Sequence, residues 1–196
     1  MAFSRRIAAA FTAAVALVGL SASSNATDLI HTGTNSAIAE ATPQRYELRM
    51  HHLHTGEDID VVYRIGDTYI PSALDRLNHF LRDHRTQDES SYDPKEFDVL
   101  HALMTSLGRP NAVIDIICGY RTPWSNNFLR TRGASTGVAE HSQHMLAKAI
   151  DIRVPGVSTL ALGNAALALH AGGVGFYPVS QFVHVDVGPV RTWSFR

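Results

Sequence analysis

From Arg45 onward the chain alternates polar and apolar residues, in the run RYELRMHHLHTGEDIDVVYRIGDTYI. Alternation on both sides of a His-Thr-Gly-Glu turn predicts a hairpin, with strands at Tyr46 to Leu53 and Asp58 to Tyr63. The period then changes. Pro71 stands in the favoured first-turn position of a helix, and Leu74, Leu77 and Leu81 recur on one face. Pro94 opens a second helix that gathers Phe97, Leu100, Met104 and Leu107 on one side and stops at Gly108 and Pro110. Ala112 to Cys118 is an apolar, β-branched run of the kind that forms a buried strand. A short helix is expected over Trp124 to Leu129, then a Gly/Ser/Thr/Arg loop from Arg130 to Glu140. Ala149 to Val154 alternates as a strand, and Leu160 to Ala171 is a helix ended by Gly172-Gly173. Gly173 to Tyr177 and Phe182 to Val187 read as the last strands. Helices and strands do not alternate as βαβ units, so the class is α+β.

Upstream of Arg45 the pattern is different in kind. Residues 27–44 are small, polar and aperiodic, a flexible lead-in. Residues 1–26 have the layout of a signal peptide. Arg5 and Arg6 precede a 14-residue apolar run, Ile7 to Leu20, and Ser24-Asn25-Ala26 offers small residues at a cleavage site. That run is shorter than the ~20 residues a bilayer-spanning helix needs, which favours cleavage over retention as an anchor. The twin arginine leaves both the general secretory and the twin-arginine routes open. The expected destination is the periplasm, with no stable membrane insertion after cleavage. Residues 45–196 then form one domain, a suitable size for a single core at roughly 100–200 residues per domain.

Charge narrows the partners. With 17 basic and 18 acidic residues the formal charge is −1, and loss of Arg5 and Arg6 makes it −3. There is no basic excess of the kind nucleic acid requires. The one cysteine, Cys118, has no partner for an internal disulfide and sits in the apolar run AVIDIICGY, as a small buried hydrophobe.

Candidate chemistry concentrates late in the chain. His144 is separated from Asp151 by six residues in HSQHMLAKAIDIRV, and His184-Val185-Asp186 follows in FVHVDVG. Two histidines and an aspartate are a familiar ligand set for catalytic zinc, which keeps a fourth position open. Asp151 interrupts an apolar strand; it lies either on a solvent face or against a cation. His184 and Asp186 share one strand face, and Val183, Val185 and Val187 take the other. His52 and His54 would also share a face, but Glu57 is the nearest acid, and a structural or surface role fits them better. His79, His84 and His141 read as ordinary surface residues, and Tyr177 and Trp193 as residues that either shape a cleft or pack the core.

The order Ser-x-His-x6-Asp, then His-x-Asp, resembles the M15-type zinc peptidases, which include D-alanyl-D-alanine carboxypeptidases and dipeptidases and share their fold with the hedgehog signalling domain. Within them it is most similar to the murein endopeptidase branch, the DUF882 group. The landmarks are HTGE (His54–Glu57), LNHFLRDHR (Leu77–Arg85), GYRT (Gly119–Thr122), HSQH…AID (His141–Asp151), AGGVGFYP (Ala171–Pro178) and FVHVDVGPVRTW (Phe182–Trp193). The resemblance implies a hedgehog/D-Ala-D-Ala-peptidase-like fold, in which an antiparallel sheet carries a zinc site and helices pack against it. It implies one zinc per chain on His144, Asp151 and His184. Arg121 would bind a substrate carboxylate or stabilise an oxyanion, unless it serves as a structural ion pair. Ser142 would orient the loop or substrate. Larger members place a glutamate before the final histidine as base; here Ser180, Gln181, Phe182 and Val183 precede it. Asp186 is therefore the first candidate for base, with a role holding a ligand as the alternative. The family also favours glycine where this chain has Ala147, and alanine implies ordinary backbone there.

The implied function is an exported zinc endopeptidase acting on the peptide stems that cross-link peptidoglycan, in cell-wall remodelling. The alternatives are a D-alanyl-D-alanine carboxypeptidase or dipeptidase, and a non-catalytic zinc-binding cell-wall module.

Overall fold

A computed structural model describes residues 42–133 and 136–195. The expectations for the signal peptide, and for all but the end of the lead-in, lie outside the described residues. Eight strands form one sheet in the order β3-β2-β1-β4-β5-β7-β6-β8. They are β1 (Arg45–His52), β2 (Asp58–Ile65), β3 (Thr68–Tyr69), β4 (Ile114–Cys118), β5 (Ala149–Arg153), β6 (Gly173–Tyr177), β7 (Phe182–Asp186) and β8 (Arg191–Ser194). The helices are α1 (Pro71–Phe80), α2 (Lys95–Ser106), α3 (Pro123–Arg130) and α4 (Thr159–Ala168), with a 3-10 turn at Gln143–Leu146.

The α+β class holds, but the sheet is mixed rather than antiparallel. β1 runs parallel to β4, and β6 parallel to β8. The physical reason is connection length: α1 and α2 lie between β1 and β4, enough chain to cross over and return in the same direction. Two short strands went unread, β3 and β8. Neither carries an apolar alternation long enough to announce itself, and both are recruited by a neighbouring edge.

The core lies between one sheet face and the helices. Leu48, Met50, Ile116, Ile150, Ile152, Val183 and Val185 project from the sheet toward Leu77, Phe97, Leu100, Leu103 and Leu162. Phe97 and Leu100 are fully buried, and truncating either to alanine would cost on the order of 3 kcal/mol. Alternation then sends the intervening residues of β4, β5 and β7 to the other face.

Candidate active site

Strand register builds the site. Cys118 pairs with Asp151, Asp151 with His184, His184 with Gly175, and Gly175 with Trp193. Directly paired residues share a face, so these five side-chain positions form a row across β4, β5, β7, β6 and β8. Gly175 leaves room in that row: the Trp193 indole fills the space where a Cβ would stand.

His144 reaches the row from the 3-10 turn. Ser142 caps that turn, its Oγ accepting from the His144 amide at 3.3 Å. Ala147 ends it at φ 50° and ψ 47°, in the left-handed region. The expectation of ordinary backbone at Ala147 is thus overturned. The turn must reverse the chain between His144 and β5, and a fully buried alanine accepts a left-handed conformation that favours glycine, at roughly 1 kcal/mol.

Three ligand atoms converge. His184 Nδ1 lies 2.9 Å from Asp151 Oδ1. His144 Nε2 lies 3.1 Å from His184 Nδ1 and 3.2 Å from Asp151 Oδ1. Ligands bonded to tetrahedral zinc at about 2.0–2.1 Å stand about 3.3 Å apart, so this triangle fits such an ion. Cys118, His144 and Asp151 offer a second set, whose ligand atoms all lie within 4.8 Å of one another. We favour the tighter triangle, because the Cys118 sulfur already receives the Arg121 Nη2 at 3.5 Å. Cys118 is buried as expected, but beside the Arg121 guanidinium and the side chains of His144 and Asp151 rather than in purely apolar surroundings.

The histidines are oriented from behind. Gly119 O lies 2.8 Å from His144 Nδ1, leaving Nε2 to face Asp151. Asp186 Oδ2 lies 2.9 Å from His184 Nε2, leaving Nδ1 for the triangle. Burial works against a proton on His144, but the Asp151 carboxylate outweighs it and lifts the pKa to about 10. Asp151 is held well below the usual carboxylate range: burial opposes this, and the two histidines prevail. A proton and a metal compete for the same nitrogen.

Asp186 does not line an open face. It is 1% exposed and receives five hydrogen bonds, from Gly173 N, Gly188 N, His184 Nε2 and both Nη atoms of Arg191. A Cβ on Gly173 would collide with the Asp186 carboxylate and the Arg191 guanidinium, which explains the glycine in AGGVGF. Burial pushes the Asp186 pKa up, but His184, Arg191 and the amides bring it well below the usual range. Arg191 was not foreseen, because only the unread strand β8 brings it beside Asp186.

Arg121 gathers at the same place. Its Nη1 donates to Asn126 Oδ1 at 3.1 Å, and its Nη2 stands 3.8 Å from Asp151 Oδ2. Its buried Nε has no hydrogen-bond partner among the described residues. The GYRT segment is pinned by the chain end of α1: Leu81 O accepts from Tyr120 N, and Asp83 Oδ2 from the Thr122 amide and hydroxyl. That tie joins the LNHFLRDHR and GYRT segments in space.

A cleft of about 840 Å³ opens over the triangle. Arg121, Ser142, His144, Asp151 and His184 line it, with Glu140, His141, Tyr177 and Trp193. Trp193 Nε1 donates to Tyr177 Oη at 3.1 Å. Glu96 at the start of α2 is fully buried, both carboxylate oxygens without a partner among the described residues. Burial first, then the Asp186 charge nearby, pushes its pKa well above the usual carboxylate range. Nothing in its local sequence distinguishes it from a surface glutamate.

An α+β sheet that presents two histidines and a carboxylate in a cleft offers the donor set of a metal-dependent hydrolase. The comparisons place it more narrowly: residues 40–193 match the family model described as peptidoglycan L,D-endopeptidase MepK, of the M15 peptidases, and the chain belongs to that family. It is 41% identical over 161 residues to a probable peptidoglycan L,D-endopeptidase MepK of Haemophilus influenzae, covering 82% of this chain and 86% of the relative. It is 44% identical over 153 residues to the peptidoglycan L,D-endopeptidase MepK of Escherichia coli K12, covering 78% and 82%. No solved structure matched the chain.

Proposed function

We propose that this chain is an exported peptidoglycan endopeptidase that works with one zinc ion held by His144, Asp151 and His184. The observation that carries the reading is the triangle of His144 Nε2, Asp151 Oδ1 and His184 Nδ1, no edge longer than 3.2 Å, at the floor of the cleft. The donor set also accepts other divalent ions; two imidazoles and a carboxylate with an open position suit zinc well. A zinc ion held there by His144, Asp151 and His184 would supply Lewis acidity toward a water and a carbonyl.

The protein's own groups do the rest. Asp186 holds the His184 ring through Nε2. Its acceptor sites are filled by five donors, which supports a positioning role over that of base. Arg121, which lines the cleft beside Asp151, stabilises the oxygen that gains charge in the transition state, or anchors a stem carboxylate. Tyr177 is a second donor to that oxygen: the Trp193 indole N–H occupies one acceptor site of its hydroxyl and leaves its own hydrogen for the cleft. Ser142 orients the turn that carries His144. Glu140 and His141 are the remaining cleft residues able to take a proton, and Glu140→Gln against His141→Gln separates them.

Residues 1–26 deliver the enzyme to the periplasm, and no helix among the described residues is long and apolar enough to cross a membrane. The deciding experiment is incubation of the purified protein with cross-linked muropeptide dimers, with and without a chelator. Dimers joined through an L,D bond should disappear in a chelator-sensitive reaction, and D,D-linked dimers should persist. Release of D-alanine from monomers would assign a carboxypeptidase instead. No chelator-sensitive cleavage at all would leave a non-catalytic module.

A further inference from the structure

A guanidinium that meets substrate in a cleft is useful only if it is held in one place. The structure gives the two Nη atoms of Arg121 three side-chain neighbours. The Cys118 sulfur lies 3.5 Å from Nη2, and sulfur is a weak acceptor. Asp151 Oδ2 lies 3.8 Å from Nη2, an ion pair beyond hydrogen-bond reach. Asn126 Oδ1 accepts from Nη1 at 3.1 Å, the one ordinary N–H to oxygen bond of the three.

Asn126 does more than accept. Its Nδ2 donates to Ala139 O at 3.0 Å and to Glu140 O at 3.4 Å. Ala139 and Glu140 line the cleft and lead into Ser142, which caps the turn bearing His144. The side chain is anchored from below: the Asn126 amide donates to Thr122 O, and Thr122 caps α3 and is tied to Asp83. Asn126 is 3% exposed and stands outside the cleft lining, so it does not itself meet a substrate there. Accepting from a cation while donating to two carbonyls calls for an amide. A carboxylate has no donor, and a hydroxyl has only one.

We infer that Asn126 is a positioning residue for the hydrolytic reaction: it fixes the Arg121 guanidinium against the Ala139–Glu140 wall and so sets where that charge meets the substrate. The inference rests on the reading of Arg121 given above. Because Asn126 acts through Arg121, its removal should damage the same kinetic parameter that removal of Arg121 damages. A residue that only supports the fold would lower metal content and melting temperature instead, and its effect on rate would be independent of Arg121.

The test is a double-mutant cycle on cross-linked muropeptide dimers, with Arg121→Ala, Asn126→Ala and the two combined. Asn126→Ser accompanies them, as a second side chain too short to reach Arg121. Arg121→Ala should lower kcat/KM by about 100–1,000-fold, as loss of a transition-state donor does. Asn126→Ala should lower it by about 10–100-fold, the scale of a misplaced group. That loss should fall on whichever of kcat and KM Arg121→Ala changes, with one metal ion per chain retained. The combined variant should be no slower than Arg121→Ala alone. Losses that multiply overturn the proposal, and so does full activity in Asn126→Ala. Loss of metal or of cooperative melting in both Asn126 variants makes the residue structural and also overturns it. Full activity in Arg121→Ala removes the reading of Arg121 and the proposal with it. If the unaltered protein cleaves no dimer, the hydrolytic reading fails, and a crystal structure of Asn126→Ala decides. Displacement of Arg121 supports the positioning role, and Nη2 still 3.8 Å from Asp151 Oδ2 overturns it.

Discussion

Among the described residues, histidines cluster in two groups, and these behave oppositely. At the cleft, His144 and His184 meet two carboxylates, Asp151 and Asp186. Near the β1–β2 turn, His52, His54 and His84 meet one another. His54 and His84 stack with centroids 4.1 Å apart and planes 16° from parallel, and His52 lies 6.0 Å from His84. The nearby acid, Glu57, is occupied by a two-pronged contact with Arg82 and by the Thr55 hydroxyl. Burial, then the neighbouring charges of His54 and Arg85 respectively, lowers the pKa of His52 and of His84 to about 4. His52 Nδ1 accepts from the amides of His54 and Thr55, which requires a nitrogen without a proton. The lesson is that the carboxylate, more than the imidazole, decides whether buried histidines become a cation site.

The largest expected effect tests that contrast directly. His144→Ala or His184→Ala should abolish stoichiometric metal by elemental analysis and lower turnover by about 1,000-fold or more, on the scale of losing the metal's contribution. His52→Ala should leave metal content at one ion per chain. Metal loss in His52→Ala would break the distinction between the clusters.

A smaller effect is expected at Asp186. Asp186→Asn should weaken metal binding by about 10–100-fold in chelator competition, as loss of a partner behind a ligand does. Full metal affinity with abolished turnover would return Asp186 to the role of base.

The third effect concerns acid. The unfolded chain takes up protons at His52 and His84 near pH 6.5, and the folded chain only near pH 4, so stability falls as pH drops through that window. The loss at His52 should be on the order of 2 kcal/mol, read from urea midpoints between pH 6.5 and 4. His52→Leu should flatten the slope, and an unchanged slope would sink the account.

The smallest effect is at the hinge that delivers His144. Ala147→Gly should change stability by less than about 1 kcal/mol, relief of the left-handed strain offsetting the lost methyl group. Metal affinity should not move in a direct titration.

Much of this was legible in advance because the signals are local. The period-2 runs of β1, β2 and β5 and the prolines that open α1 and α2 mark elements that neighbouring residues decide. The triplet His144, Asp151, His184 could be named from spacing and from its resemblance to a family. Other features were hidden because they depend on distant partners. His52 and His54 do not share a strand face, since β1 ends at His52 and a turn follows. The engagement of Asp186 depends on Arg191, and so on an edge strand whose short sequence carries no period of its own.

What the sequence alone determined is which residues are chemically able to hold a cation, and that β5 and β7 each turn one face to the core. Only the tertiary structure decided which nitrogen of each histidine faces the others, how Asp186 is occupied, and that Arg121 and Tyr177 line the same cleft. The reason is range. Alternation is settled by neighbours along the chain, whereas a buried charge is settled by whichever donors the register of five strands brings within hydrogen-bond reach.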